Sequence, residues 1–371
     1  MRTSSPLLLA WRTVRVLSST LSRPPTRRSL AAQLFPPSSA PLLFRTMASS
    51  SPHSPVLKQP VKIACVQIAA GPDKGSNLVR AADMVRKAAE AGAKIVVLPE
   101  CFNSPYGCDH FPSYAERLSP SPPPPEQSPS FRALSDMARD NRVYLIGGSI
   151  PELVVTEDDG SSFSGRDGSE EEGAEEKKAE KKYYNTSLIF SPAGELLATY
   201  RKMHLFDISI PGRITFRESD VLSPGDALGL VDLPEYGRIG VAICYDVRFP
   251  ELAMIAARRG CFALVYPGAF NLVTGPLHWQ LLARARAVDN QVYVAMCSPA
   301  RDTSAGYQAW GHSLVVDPMG RVLVEAGEDS ELVMADLDGD KIEEARGGIP
   351  LRDQRRFDVY VDVSRVNPED V

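Results

Sequence analysis

Three short apolar runs, 61–68, 95–98 and 143–146, alternate with two segments of helical repeat, and this constrains the chain most. The runs are rich in Val and Ile and have the length of strands. Between the first two, Leu78, Ala81, Ala82, Val85 and Ala88 recur at helical spacing. Ser76 or Asn77 can cap that helix and Gly92 ends it. A loop over 101–129 follows, with a proline run at 122–125 and no regular structure expected. A helix over 131–142 then leads into the third run. The order β-α-β-α-β predicts an α/β layered fold.

The later chain repeats the theme. Strands are expected over 184–190 and 196–202, around a turn at 192–195, and again over 238–243, 262–267, 292–296 and 332–337. Residues 313–324 form a further hairpin. Helices are expected over 250–259 and 277–288. Some strands are joined by hairpins and others by helices, so two sheets covered by helices are expected. No internal repeat is evident.

Charge is uneven. Residues 1–57 hold seven arginines and no Asp, Glu or Lys, so the −5 of the whole chain leaves −12 on residues 58–371. An acidic body without a basic stripe argues against nucleic acid as a partner. No window reaches about 18 uninterrupted apolar residues, so no membrane span is expected. The six cysteines, Cys65, Cys101, Cys108, Cys244, Cys261 and Cys297, form no CxxC pair and have no histidine at zinc-ligand spacing. Reduced thiols, no metal and no cofactor are expected.

Residues 1–57 are rich in Ser, Arg, Pro and Leu, the composition of an organelle transit peptide. The Ser and Pro content favours chloroplast over mitochondrion. A start at Met47 would give a cytosolic form. A second departure lies at 157–182, where Gly/Ser clusters pass into Glu-rich and Lys-rich runs. This is expected to be a disordered insertion between the strands of a hairpin. The main domain is placed at 58–350, with 351–371 as an extension.

Three strand ends carry reactive groups. The run through Ile239, Val241 and Ile243 stops at Cys244, and a helix starts at Pro250. A cysteine on a strand-to-helix turn is presented as a nucleophile elbow presents its serine. The run over 95–98 ends in Pro99-Glu100, and the strand over 196–201 ends in Lys202. A thiol becomes a nucleophile when a cation or a base acts on it. Lys202 is the candidate cation, expected to lower the pKa of the Cys244 thiol, and with the Tyr245 backbone N–H a candidate oxyanion donor. Glu100 is the candidate base, its pKa expected to be raised among apolar strand ends. Among the histidines, His110, His204, His278 and His312 leave a Cys–His pair open, but none stands in a partner motif. Taken singly, each residue also has a structural reading: a surface carboxylate, an edge lysine, a core cysteine.

The motifs resemble those of the nitrilase superfamily of carbon–nitrogen hydrolases, over roughly 61–350. They are Leu98-Pro99-Glu100-Cys101-Phe102-Asn103, Tyr200-Arg201-Lys202-Met203-His204-Leu205-Phe206, Phe216-Arg217-Glu218-Ser219 and Cys244-Tyr245-Asp246-Val247-Arg248-Phe249-Pro250-Glu251. The run 266–291 is most similar to the ω-amidase branch. The resemblance implies a four-layer αββα sandwich and a Glu100–Lys202–Cys244 triad. It adds Glu218, which composition and spacing do not single out, as a group positioning the lysine and the hydrolytic water. It implies small ω-amides of keto acids, α-ketoglutaramate and α-ketosuccinamate, as substrates, and a homodimer using helix 277–288 and the C-terminal segment. The distal carboxylate of such a substrate needs a cation or donors, for which Arg248 and Tyr106 are candidates. A hydrolase of N-carbamoyl amines or β-ureido acids, a nitrile-hydrolysing member, and a catalytically silent scaffold are the alternatives.

Overall fold

The computed structural model describes residues 55–156, 179–212 and 214–365. The expected transit segment up to residue 54, most of the expected insertion (157–178) and the last six residues lie outside the described residues.

One sheet has seven strands: β1 (Val61–Gln67), β2 (Ile95–Val97), β3 (Tyr144–Ile146), β4 (Ile150–Thr156), β5 (Glu180–Phe190), β6 (Leu196–Arg201) and, at the far end of the chain, β15 (Glu331–Leu337). Its order is β15-β1-β2-β3-β5-β4, with β6 also paired to β5. β1, β2 and β3 run parallel, as βαβ crossovers require. The crossovers carry α1 (Lys74–Glu90), the short α2 (Phe111–Tyr114) and α3 (Pro129–Asn141). β7 (Asp207–Ile210) and β8 (Ile214–Arg217) form a separate hairpin. The second sheet, in the order β14-β13-β12-β11-β10-β9, contains β9 (Leu230–Leu233), β10 (Gly237–Val241), β11 (Cys261–Pro267), β12 (Tyr293–Cys297), β13 (Leu314–Val316) and β14 (Val322–Glu325). Its helices are α4 (Pro250–Arg258) and α5 (Gly275–Asn290). α6 (Gly339–Gly348) and α7 (Leu351–Gln354) follow the last strand.

The layers follow from side-chain alternation. In β1, Ile63 and Cys65 meet Ile239, Val241, Tyr293 and Ala295 of the other sheet. Ala64 and Val66 point the other way, towards Ala81, Val85 and Ala88 of α1 and Leu134 and Ala138 of α3. β12 does the same in reverse: Tyr293 and Ala295 face the first sheet, while Val294 and Met296 pack on Ala253 of α4 and Trp279, Ala283 and Ala287 of α5. Each fully buried Val, Leu or Ile contributes about 1.5–3 kcal/mol, and strands apolar on both faces secure this twice. The result is a four-layer αββα sandwich.

Several boundaries differ from the sequence expectation. Leu57 is buried in the inter-sheet core, so the folded body starts upstream of residue 58. Lys181 and Lys182 belong to β5, paired with Val155 and Val154, so the hairpin continues into the segment assigned to the insertion. Asp73 caps α1, accepting from Ser76 N at 2.6 Å. Asn77 instead clasps Gly71 through its side-chain amide. The chain beyond residue 350 also packs on the body, with Arg258 2.7 Å from Asp362. Among the described residues no helix is long and apolar enough to cross a membrane.

Candidate active site

Glu100, Lys202 and Cys244 stand just past β2, β6 and β10, and all three are almost completely buried. The Glu100 turn is held by Gly148, whose φ of +59° suits glycine and whose missing side chain admits the Pro99 carbonyl. Ser149 accepts from Cys101 N at 3.0 Å. The Cys244 turn is built differently. Pairing with β11 runs one residue past β10, through Ala242 N to Val265 O. Cys244 then adopts a left-handed φ of +49° and opens a short 3-10 helix to Arg248. Left-handed backbone is uncommon for a residue with a side chain and recurs at functional turns.

The three strand ends converge. Lys202 Nζ lies 3.0 Å from Glu100 Oε1 and 2.9 Å from the Glu218 carboxylate. Glu218, fully buried, also accepts from Phe206 N at 2.7 Å and from Tyr106 OH at 2.9 Å. Glu100 accepts from Asn185 Nδ2 and from Ala269 N, each at 2.8 Å. The thiol is placed against Glu100, and Lys202, Glu218 and Arg248 are charged groups near it. Among the described residues no histidine hydrogen-bonds to the thiol: His204 Nδ1 faces Asp246, His278 Nδ1 faces Arg248 and His312 Nδ1 faces Glu325.

The electrostatics sharpen the sequence reading and correct it at one point. Burial pushes Glu100 up, only partly opposed by Lys202. Burial works against the Lys202 charge, but Glu100 and Glu218 outweigh it and hold the ammonium well above its ordinary value. Burial also pushes the Cys244 thiol up, and the Glu100 charge adds to this; the lowering from Lys202 is smaller. The cation beside the thiol therefore does not make it a resting thiolate. A base must remove the proton during attack, and a carboxylate with a raised pKa suits that step.

Tyr106 and Arg248, the two candidates for a substrate carboxylate, are placed differently. The Tyr106 hydroxyl is committed to Glu218. Arg248 Nη1 lies 3.1 Å from His278 Nδ1, and the guanidinium stands over the rings of Phe270 and Tyr245. Among the described residues no carboxylate pairs with Arg248, and its Nε is buried without a partner. Arg286 of α5 holds the Val247 and Arg248 carbonyls, both at 2.9 Å. No described acceptor takes the Tyr245 N–H.

Three contributors were not anticipated. Asn185 holds Glu100. Gly268, at the end of β11, lies so close that a Cβ there would stand 3.0 Å from Cys244 Cα. Tyr307 packs 4.5 Å from the Tyr106 ring and donates to Ala269 O at 2.5 Å. Gly268 could have been found as another strand end in the sheet that carries Cys244. Asn185 and Tyr307 carried no local signal. A cleft of about 250 Å3, lined by Glu100, Tyr106, Tyr307, His110 and Asp302 among others, opens beside the cluster, but neither Lys202 nor Cys244 lines it. A larger cavity of about 570 Å3, near Glu152 and Arg201, includes none of the four central residues.

The sequence model of the carbon–nitrogen hydrolases matches residues 62–347. The chain is 49% identical to the ω-amidase NIT3 of Saccharomyces cerevisiae, over 84% of this chain and 98% of that protein. It is 52% identical to the human ω-amidase NIT2, over 81% of this chain and 96% of that one. The crystal structure of yeast Nit3, a member of branch 10 of the nitrilase superfamily, superposes with a TM-score of 0.67, at 47% identity, over 81% of this chain and 98% of that chain. With the αββα sandwich and three charged or nucleophilic strand ends meeting at one buried point, these matches leave a single assignment: the chain belongs to the carbon–nitrogen hydrolase family of the nitrilase superfamily.

Proposed function

We propose that the protein is an ω-amidase that hydrolyses the terminal amide of α-ketoglutaramate and α-ketosuccinamate, releasing ammonia and 2-oxoglutarate or oxaloacetate. The observation that carries this reading is the buried Lys202 ammonium, clamped between Glu100 and Glu218 beside Cys244, in a chain about half identical to proteins named ω-amidases.

In this mechanism Glu100 takes the thiol proton as Cys244 Sγ bonds to the amide carbon. The carbonyl oxygen becomes an oxyanion, accepting from Lys202 and from the Tyr245 N–H. An ammonium has three N–H donors, so one directed at each carboxylate leaves one for substrate. Collapse breaks the carbon–nitrogen bond, and Glu100 returns its proton to the departing nitrogen, giving ammonia and a thioester. A water, deprotonated by Glu100, then attacks the thioester, and the proton goes back to the departing sulfur. Glu218 holds Lys202 in place and orients that water. Arg248, a cation without a carboxylate partner among the described residues, receives the distal carboxylate of the substrate.

The family resemblance and the surface support a homodimer. Leu277, Leu281 and Val288 form an exposed apolar stripe on α5, and Val359 and Val361 are exposed on the C-terminal segment. Light scattering on the purified protein tests this. Import into plastids is proposed from the composition of residues 1–57, and a fluorescent fusion to that segment tests it, with mitochondrial or cytosolic signal as the contrary result.

The activity is tested by ammonia release from residues 48–371, offered α-ketoglutaramate, glutamine, N-carbamoylputrescine and β-ureidopropionate in parallel, with Cys244→Ala alongside. Turnover of the keto-acid amide, lost in the variant, is the expected result. Preference for a carbamoyl compound would keep the site and change the substrate, and inactivity on all four would leave a scaffold.

A further inference from the structure

Asp246 follows the nucleophile by two residues, is fully buried, and takes no part in the chemistry proposed above. Its carboxylate is nonetheless saturated. Oδ2 accepts from Ile243 N at 2.9 Å and from Tyr200 OH at 2.7 Å. Oδ1 accepts from His204 N at 2.9 Å, and His204 Nδ1 lies 2.8 Å away. Ile243 immediately precedes Cys244. Tyr200 and His204 stand two residues before and two residues after Lys202.

One carboxylate therefore ties the backbone of the Cys244 turn, which leaves the six-stranded sheet, to the segment on either side of Lys202, which leaves the seven-stranded sheet. His204 completes the tie. Its ring lies flat on Phe249, with centroids 3.6 Å apart and planes 8° apart, which fixes the direction of Nδ1. A carboxylate only accepts, so a neutral His204 carries its proton on Nδ1.

We propose that Asp246 and His204 are a positioning pair that sets the Lys202 ammonium against the Cys244 thiol. Neither touches the reacting atoms; they act by holding the two turns at one separation. A misplacement of about 1 Å at a reacting centre costs about 10²-fold in rate, so a local loosening is visible in kcat before it is visible in folding.

The inference rests on Cys244 being the nucleophile, and the experiment separates the two. Wild type, His204→Ala and His204→Asn are compared for kcat, KM, thermal midpoint and the rate of Cys244 alkylation by iodoacetamide. The Asn side-chain N–H falls near the place of imidazole Nδ1–H, so it keeps the donor without the ring. His204→Ala is expected to lose at least tenfold in kcat with KM within about twofold, and to shift the alkylation rate. His204→Asn should recover most of that loss. Asp246→Asn, which keeps the shape and exchanges one acceptor for a donor, should resemble His204→Ala. If His204→Ala keeps kcat within twofold of wild type, or His204→Asn is as impaired as His204→Ala, the positioning role is overturned. Activity retained in Cys244→Ala would instead overturn the nucleophile assignment.

Discussion

Lys202 Nζ stands 3.0 Å from Glu100 Oε1, with both side chains fully buried and a second carboxylate, Glu218, on the lysine's other side. One cation between two acids leaves a site with one excess negative charge in a low-dielectric setting. Such clusters contribute little net stability, because desolvation offsets attraction, but removing one member leaves uncompensated charge. Lys202→Met should abolish activity and cost about 3–5 kcal/mol of stability at neutral pH. The loss should shrink in acid. Burial already holds the Glu100 carboxyl above its ordinary range, and loss of the opposing Lys202 charge raises it further, so the native state binds more protons than the unfolded one and the penalty falls as pH drops through that raised value. Urea denaturation of both proteins at pH 7.5 and pH 5 measures this, and an equal loss at the two values would contradict it.

Glu100 gives a prediction about rate rather than stability. Burial raises its pKa above the ordinary 4.5. In the proposed mechanism the base form is needed for attack, so kcat/KM should fall as pH drops through that raised value, with an acid limb above 4.5. Glu100→Gln should remove the limb and lower kcat by about 10²–10⁴. The thiol stays well above its ordinary value of 9.0. Alkylation of Cys244 in the resting enzyme should therefore rise steadily from pH 6 to 9, and a plateau near pH 7 would reveal a resting thiolate.

Much of this site was legible in the sequence because its chemistry sits at strand ends. Glu100, Lys202 and Cys244 each close an apolar run, and a run that stops at a reactive side chain is a local pattern. The layered fold was legible for the same reason, since strands such as β1 are apolar on both faces. Glu218 was not legible locally: it follows a hairpin of only four residues per strand, alternately half-buried and exposed, and besides Lys202 its partners are a backbone N–H and a tyrosine 112 residues away. The direction of the thiol's shift was missed because charge alone was weighed. Burial, which depends on the assembled layers, outweighs the neighbouring ammonium.

Tyr106 separates positioning from binding. Its hydroxyl donates to Glu218 Oε1 at 2.9 Å, and burial, with the nearby Glu100 and Glu218 charges, keeps the phenol well above its ordinary range. It therefore remains a donor at any working pH. Tyr106→Phe removes one charge-assisted hydrogen bond, for which about 1.5–3 kcal/mol is typical. If that loss falls on the orientation of Lys202, kcat drops about tenfold or more and KM is nearly unchanged. A raised KM with unchanged kcat would return Tyr106 to the substrate carboxylate. Arg248→Ala provides the contrast, with KM for the keto-acid amide expected to rise.

Gly268 tests how closely the nucleophile is packed. A Cβ there would stand 3.0 Å from Cys244 Cα, 3.4 Å from its Cβ and 3.4 Å from the Trp279 ring. The first distance is tighter than ordinary van der Waals contact, and Trp279 cannot retreat, because it is fully buried and its Nε1 is held by His312 O at 2.6 Å. The flexible partner is the Cys244 turn, already in a left-handed backbone conformation at φ +49°. Gly268→Ala should move the thiol by a few tenths of an ångström and leave the two sheets in place. Overpacking of this kind costs about 1–3 kcal/mol, so the variant should still fold. Activity should fall further than stability, by about 10²-fold in kcat, because in the proposed mechanism the moved atom is the one that forms the bond. Steady-state kinetics beside a thermal melt decides the matter. If kcat is retained while the melting temperature drops, the turn has yielded away from the thiol, and Gly268 matters for packing alone.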